Sequence, residues 1–340
     1  MATRSDPFER LRRLELGARI SDFLAGGSGW RTIAAKELAD DLLSIRFGVV
    51  LIIVALAAVG TVYFSSAYIS SVASNASGSP SLFLRLFTVT GDQLPFPFFG
   101  LVGFLLPLVG IAFGFDAINS ERAQGTLPRL LAQPIHRDDV VNGKFAAGLA
   151  VIALIVTAVT AFVAAFGLVR LGITPTGSEV LRIVAWLIVS IVYVGFWLAF
   201  ASLCSVVLRR AATSALVAFG VWLALSLFFS ILASLVAGVL APAPTGSSSD
   251  QVVANAQVEQ TLLELSPMTL YQEATVALLD PSVRTVGVVL PSQTDRAVVS
   301  TLSIDQSLLV VWPQAVAIVA LTVICFAIEY VVFMRQEVRA

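Results

Sequence analysis

The chain has few charged residues for its length of 340 residues. Charged residues make up 13% of it, about half of the roughly 25% usual in soluble domains. Hydrophobic residues make up 57%, and the mean hydropathy is +0.90. This composition excludes an ordinary soluble domain and predicts an integral membrane protein.

Cysteine and histidine are also scarce, with two cysteines and one histidine. The two cysteines, Cys204 and Cys325, stand far apart, which excludes a disulfide framework and a cysteine-rich metal site. The net charge of -1 argues against a nucleic-acid partner. We therefore expect no cofactor or metal in this chain.

A phosphate-binding loop is also absent from the sequence. The sequence Gly143–Lys144 matches the end of the Gly-x-x-x-x-Gly-Lys-Ser/Thr motif, but Asp138 replaces its first glycine and Phe145 its hydroxyl residue. Without those residues the backbone cannot cradle the phosphates of ATP. Any ATPase working with this chain is expected to be another polypeptide.

What the chain has in abundance is long apolar runs. A membrane-spanning helix needs roughly 20 apolar residues, and the sequence offers six such stretches, at about 47–69, 98–118, 145–169, 181–207, 213–240 and 308–334. Lys and Arg number sixteen on the side that carries both termini and five on the other side. By the positive-inside rule, both termini face the cytosol. The expected location is the cell membrane.

Two regions outside the spans also show helical patterns. The segment 30–46 places one set of apolar residues on one helical face, which predicts an interfacial helix before the first span. The outer loop, 241–307, shows helical periodicity punctuated by Pro267 and Pro281. Its helices would cap a transport path, receive an extracytoplasmic partner or pack on the spans. The apolar face of 30–46 comprises Trp30, Ile33, Ala34, Leu38, Leu42 and Ile45, and the opposite, polar side comprises Lys36, Glu37, Asp40 and Asp41.

The polar loop after the second span carries the most specific pattern. Gly125 ends one helix and Thr126 can cap a new one, which Pro134 stops. Leu127, Leu130 and Leu131 form an apolar stripe at helical spacing. A helix of about two turns is unstable alone, so its apolar face is expected to dock on another protein.

This loop and its flanks resemble the first cytoplasmic loop of ABC-2 type transporter permeases, the six-span family that includes the NosY group. A segment of the outer loop, Leu265–Tyr271, is also similar to that group. The resemblance covers nearly the whole chain, apart from residues 1–29. The loop residues that carry it are Asp116, Glu121, Gly125, Thr126, Leu127, Leu130, Leu131, Pro134, Arg137, Gly143 and Lys144.

The resemblance implies a fold and a set of partners. The fold class is all-α integral membrane, with a segment 1–46 before a six-span domain 47–340, a cytosolic coupling helix and a helical extracytoplasmic loop. The partners are a second permease, as a homodimer, and two cytosolic ABC ATPases that bind ATP and Mg²⁺. A second ATPase contact is assigned to Arg209 and Arg210. The residues assigned to coupling are Glu121, Arg122, Gly125, Thr126, Leu127, Arg129, Leu130, Leu131 and Pro134.

Two other function classes stay open. An ATP-independent secondary transporter or channel would need ionisable groups at the midplane or broken helices. An intramembrane enzyme would need a reactive pair at membrane depth, for which the chain offers only Asp116 and Glu329. Both are expected near cytosolic helix ends, solvated at the headgroup level or paired with a neighbouring arginine. Positive-inside anchoring alone accounts equally well for Arg209 and Arg210.

One small-residue pattern predicts close packing inside the membrane. Gly110 and Gly114 are spaced as in the GxxxG motif, which lets helix backbones approach closely. We expect this contact within one subunit rather than at a dimer seam.

Overall fold

The computed structural model describes residues 29–73, 81, 83–89, 97–126, 136–244, 246–284 and 301–336. Within this part of the chain all regular structure is helical, numbered α1 to α12 in chain order. The helices are α1 (Gly29–Leu42), α2 (Ile45–Ala73), α3 (Arg85–Thr88), α4 (Phe98–Gly114), α5 (Asn119–Ala123), α6 (Arg137–Leu171), α7 (Gly177–Val207), α8 (Ala211–Leu223), α9 (Phe229–Leu240), α10 (Ser249–Leu263), α11 (Pro267–Leu279) and α12 (Ile304–Arg335).

The predicted all-α membrane fold with six spans is confirmed. The spans, numbered 1 to 6, are Ile45–Ser66, Phe98–Ala123, Arg137–Arg170, Gly177–Val207, Ala211–Leu240 and Ile304–Arg335.

Several spans begin earlier than the apolar runs predict, because polar capping residues extend their first turns. Thr176 and Glu179 form such a cap at span 4, and Ser303 and Gln306 form one at span 6. The side chain at each cap satisfies backbone N–H groups that have no helical partner. Polar residues thus set where these helices start.

The ends of the spans form two faces, which differ in their connections. The terminal face carries α1, α5, the start of α6, residues 208–210 and Gln336. The loop face carries α3, α10, α11 and residues 301–303. Hydrogen bonds between distant residues hold each face together, for example from Trp30 N to Asp139 on the terminal face and from Phe83 N to Glu179 on the loop face.

Spans 2 and 4 form the centre of the bundle and contact each other closely. A Cβ added to Gly110 would lie 2.6 Å from the carbonyl oxygen of Val194, and one added to Gly114 would lie 2.7 Å from that of Leu198. These contacts leave no room for a side chain, since real Cβ atoms do not approach so near. The predicted packing of Gly110 and Gly114 within one subunit is confirmed.

Span 2 is interrupted before it reaches the terminal face. The helix α4 ends at Gly114, and α5 starts at Asn119 after a turn. Ser205 of span 4 accepts hydrogen bonds from the backbone N–H groups of Ile118 (3.0 Å) and Asn119 (3.1 Å). The interruption is therefore stabilised by a neighbouring helix, which satisfies the donors it frees.

The two helices of the outer loop differ in how far they are buried. In α10 no residue is buried, whereas α11 packs into the bundle against spans 4 and 6. Tyr271 of α11 is fully buried and stacks on Tyr193 of span 4, with ring centroids 4.4 Å apart. For α11, the interpretation that the outer loop packs on the spans is confirmed.

Arg182 joins the elements of the loop face through hydrogen bonds. It is 3% exposed, and its guanidinium donates to the carbonyl oxygens of Leu278 (2.9 Å) and Leu302 (2.6 Å) and to Ser307 Oγ (2.9 Å). These bonds join the end of α11 to the start of span 6. An arginine can do this because its planar guanidinium presents several donors in fixed directions.

The helix predicted before span 1 exists as α1, but its buried face differs from the prediction. The buried residues are Ile33, Ala34, Ala35 and Ala39, and Ile45 is 86% exposed. The prediction failed at Ile45 because α1 ends at Leu42 and Ser44 starts span 1 as a new helix, its Oγ accepting from Phe47 N at 3.1 Å. The helix α1 packs along the start of α6.

Candidate functional site

The span 2–span 3 connection leaves the membrane domain through a tightly turned stem. Gly125 has φ +65°, the left-handed conformation that glycine adopts readily, so the predicted helix stop is confirmed. Thr126 N donates to the carbonyl oxygen of Glu121 at 3.0 Å. The hydroxyl of Thr126 also bonds to the carboxylate of Glu121. The stem thus folds back onto Glu121 and is held there by Thr126. The sequence pattern predicted Thr126 as a helix cap and did not predict this contact.

Lys144 connects this stem to α1. Its ammonium lies 2.9 Å from Glu37 Oε2 and 3.4 Å from Glu121 Oε1, and its side chain is 7% exposed. Burial alone would raise the pKa of Glu37, but the ammonium groups of Lys144 and Lys36 outweigh it and the net shift is downward. Glu37 therefore keeps its negative charge beside the buried ammonium.

Arg122 ties together the ends of three spans. Its guanidinium donates to the carbonyl oxygen of Val206 at 3.2 Å and to the side-chain oxygen of Gln336. The amide of Gln336 donates to the same Val206 carbonyl at 2.9 Å. Spans 2, 4 and 6 are thereby held at the terminal face, so Arg122 has a structural task whatever else it does.

The far end of the connection is held as well. Asp139, in the first turn of α6, accepts from His136 N at 3.1 Å and from Trp30 N at 3.1 Å. One carboxylate thus satisfies backbone donors at the start of α6 and at the start of α1. Negative charge in the first turn of a helix is also favoured by the helix dipole.

The predicted site residues are only partly brought together. Glu121, Arg122, Gly125 and Thr126 lie within one stem on the terminal face. Arg209 and Arg210 lie on the same face, and both are exposed. The predicted coupling helix with Leu127, Arg129, Leu130, Leu131 and Pro134 lies outside the described residues, so it stays a prediction.

Sequence patterns missed three partners in this site. Glu37 was interpreted only as part of the polar side of a helix, and Ser205 and Gln336 were not singled out at all. A buried lysine needs nearby carboxylates, so a search for the partners of Lys144 would have pointed to acidic residues. It could not have chosen Glu37 among the acidic residues of α1.

The expectation for Glu329 was wrong. It was expected to be solvated or paired with an arginine at a helix end, whereas it is 1% exposed and accepts a hydrogen bond from Ser202 Oγ. Span 6 continues beyond it to Arg335, and span 4 covers its side chain. Asp116 behaves as expected and pairs with Arg46 at 2.6 Å.

Six spans with a tightly held loop stem at the terminal face define a multi-pass membrane subunit. The family model described as "ABC-2 family transporter protein" matches residues 31–338. The chain belongs to this family and is a membrane-spanning permease subunit of an ABC transporter.

Two relatives agree with this family. The chain is 33% identical over 114 residues to the probable ABC transporter permease protein NosY of Pseudomonas aeruginosa, covering 34% of this chain and 36% of that protein. It is 29% identical over 206 residues to the probable ABC transporter permease protein NosY of Stutzerimonas stutzeri, covering 59% of this chain and 67% of that protein. The first match thus spans about a third of that relative, the second two thirds.

Proposed function

We propose that this chain is the permease of an ATP-driven exporter, in which two copies form a homodimer and two cytosolic ATPases supply the energy. The observation that carries the proposal is the rigid stem formed by Glu121, Gly125 and Thr126, in a chain that belongs to the ABC-2 family. ATP and Mg²⁺ would bind the partner ATPase, because this sequence has no phosphate-binding loop. The chain itself would act as a transport subunit, not as an enzyme.

The stem is suited to a docking segment that transmits force from an ATPase to the spans. Residues 127–135 are joined to the bundle at Thr126, which bonds to Glu121, and at His136, which bonds to Asp139. A coupling helix at 126–134 would therefore start and end at fixed points. Force from an ATPase would reach spans 2 and 3 through Glu121 and α6.

Charge supports the orientation of this proposal. The terminal face carries the excess of Lys and Arg, so it would face the cytosol, where the ATPases are, and the protein would lie in the cell membrane. Arg209 and Arg210 are exposed there and would offer a second contact to the ATPase. The exposed helix α10 would then face outward, where it could receive an extracytoplasmic partner.

Docking is tested by replacing the apolar stripe. Leu130→Asp with Leu131→Asp should leave the tagged protein inserted but remove an ABC ATPase that co-purifies with the unaltered chain. Burying two unpaired carboxylates in a docking groove costs several kcal/mol, so retention should fall more than about tenfold. The control is Val252→Asp with Leu265→Asp, two exposed apolar residues on the loop face.

Two outcomes would contradict the proposal. Undiminished recovery of the ATPase with the Leu130 and Leu131 variant would reject docking at this helix. Sustained uphill movement of cargo with a hydrolysis-dead ATPase would reject the ATP-driven mechanism.

A further inference from the structure

The terminal face contains an unbroken chain of polar contacts that crosses from α1 to the coupling stem. It runs from Glu37 of α1 through Lys144 of span 3 and Glu121 of span 2 to Thr126. We call it the ionic chain. Each link joins a different helix or segment, and Thr126 immediately precedes the proposed coupling helix.

Lys144 is the residue on which the ionic chain depends. A buried ammonium must be paired, because leaving water costs several kcal/mol. Here one ammonium faces two carboxylates, those of Glu37 and Glu121, at unequal distances of 2.9 and 3.4 Å. Two negative groups sharing one positive group can exchange it when their spacing changes by a fraction of an ångström.

The helix α1 is placed to pass such a change onward. It is fixed to α6 by the bond from Trp30 N to Asp139 and by close packing, since a Cβ on Gly143 would lie 2.8 Å from the Cβ of Ile33. Only residues 43 and 44 separate α1 from span 1. Span 1 is in turn tied to the end of span 2 by the ion pair of Arg46 with Asp116.

We propose that Lys144 is a positioning residue that couples α1, and with it span 1, to the ATPase-driven movement of the Glu121 stem. Contact between Lys144 and Glu121 makes α6, and with it α1, move together with the stem. Loss of that contact uncouples the stem from α6 and α1. This inference rests on the proposed function, since it assumes an ATPase that moves the stem.

The test measures the movement of α1 directly. Spin labels are placed at Thr32 of α1 and Ala212 of α8, both exposed on the terminal face, after Cys204→Ala and Cys325→Ala. The distance between the two spin labels is measured by electron paramagnetic resonance. It is compared between the permease–ATPase complex without nucleotide and the complex trapped with ATP and vanadate. A helix shift of roughly 2–5 Å is expected.

Four variants test the assignment. Lys144→Met should abolish the nucleotide-dependent shift while the ATPase remains bound, and Lys144→Arg should preserve it. Glu121→Gln removes the ion pair with the stem, leaves Lys144 its partner Glu37 and should also abolish the shift. Lys36→Met is the matched control, because Lys36 contacts Glu37 from the solvent side with 60% of its side chain exposed, and its shift should be unaltered.

The outcomes separate this inference from the proposed function. An unaltered shift in Lys144→Met and Glu121→Gln would overturn the inference, as would a trapped unaltered complex with no shift. Glu121→Gln serves as the deciding variant if Lys144→Met fails to fold. Failure to recover any ATPase with the unaltered chain would instead reject the proposed function.

Discussion

The terminal face and the loop face both contain buried charged side chains, but they satisfy them in different ways. On the terminal face Lys144 is paired with two carboxylates. On the loop face Arg182 donates to two backbone carbonyls and a serine, and Glu179 accepts from backbone N–H groups. Around Lys144 charge is paired with charge, whereas Arg182 and Glu179 are paired with neutral groups, as are Arg122 and Asp139 elsewhere on the terminal face.

This difference indicates what each face can tolerate. Backbone hydrogen bonds are directional and weaken steeply when the angle changes, so the loop face is held in one arrangement. Ion pairs depend mainly on distance and can exchange partners without a large loss. The ion pairs of Lys144 are therefore suited to relative movement of the segments they join, whereas the hydrogen bonds of the loop face anchor its helices.

The largest expected effect comes from replacing Arg182, whose hydrogen bonds anchor the loop face. Arg182→Met should destabilise the protein by about 2–5 kcal/mol, because it leaves the carbonyls of Leu278 and Leu302 without their buried donor. Thermal unfolding in detergent, followed by size-exclusion fluorescence, measures this loss. Arg170→Met is the control, because Arg170 is exposed at the same face; equal melting temperatures for both variants would contradict the anchor role.

A smaller effect is expected from the outer ion pair of the terminal face. Arg46 is 53% exposed and pairs with Asp116 at 2.6 Å, and such partly exposed pairs contribute about 0.2–1 kcal/mol. A double-mutant cycle with Arg46→Met and Asp116→Asn should give a coupling energy in that range, decreasing as salt is added. A coupling as large as the loss in Arg182→Met would remove the contrast between the faces.

An effect of similar size concerns Asp41 of α1 and depends on pH. Burial raises its pKa to about 7, with Glu37, Asp116 and Asp40 adding to the rise and Lys144 opposing it. Since the unfolded pKa is about 3.9, the folded protein binds this proton more tightly. Its stabilising contribution is therefore full below about pH 4, decreases as pH rises and is lost above about pH 7.

Asp41→Asn should remove this dependence. The backbone carbonyl of residue 41, which accepts from Ser44 Oγ at 2.6 Å, is kept in the variant. At about pH 8 the free energy of unfolding of the variant should exceed that of the unaltered protein by about 1 kcal/mol after screening, which appears as a higher melting temperature. The gain should shrink towards about pH 5. A gain that grows as pH falls would show that the sign is wrong.

The features that sequence alone predicted are those encoded within a short stretch of chain. Each span is an apolar run long enough to satisfy its own backbone inside a bilayer, so the six spans could be found one at a time. Gly125 stops a helix by its own backbone freedom, and Gly110 with Gly114 predicts a close contact by its spacing. The polar loop after span 2 likewise pointed to the ABC-2 family.

The partners in the site were decided by tertiary structure, because each joins residues from separate elements. Trp30 N meets Asp139 across 109 residues of chain, and Lys144 meets Glu121 across 23. Which of several acidic residues on α1 reaches Lys144 depends on how α1 rotates against α6, and that rotation follows from the packing of Ile33 against Gly143. The sequence by itself determined the helices and the class of protein; side-chain packing between the helices decided which charges meet.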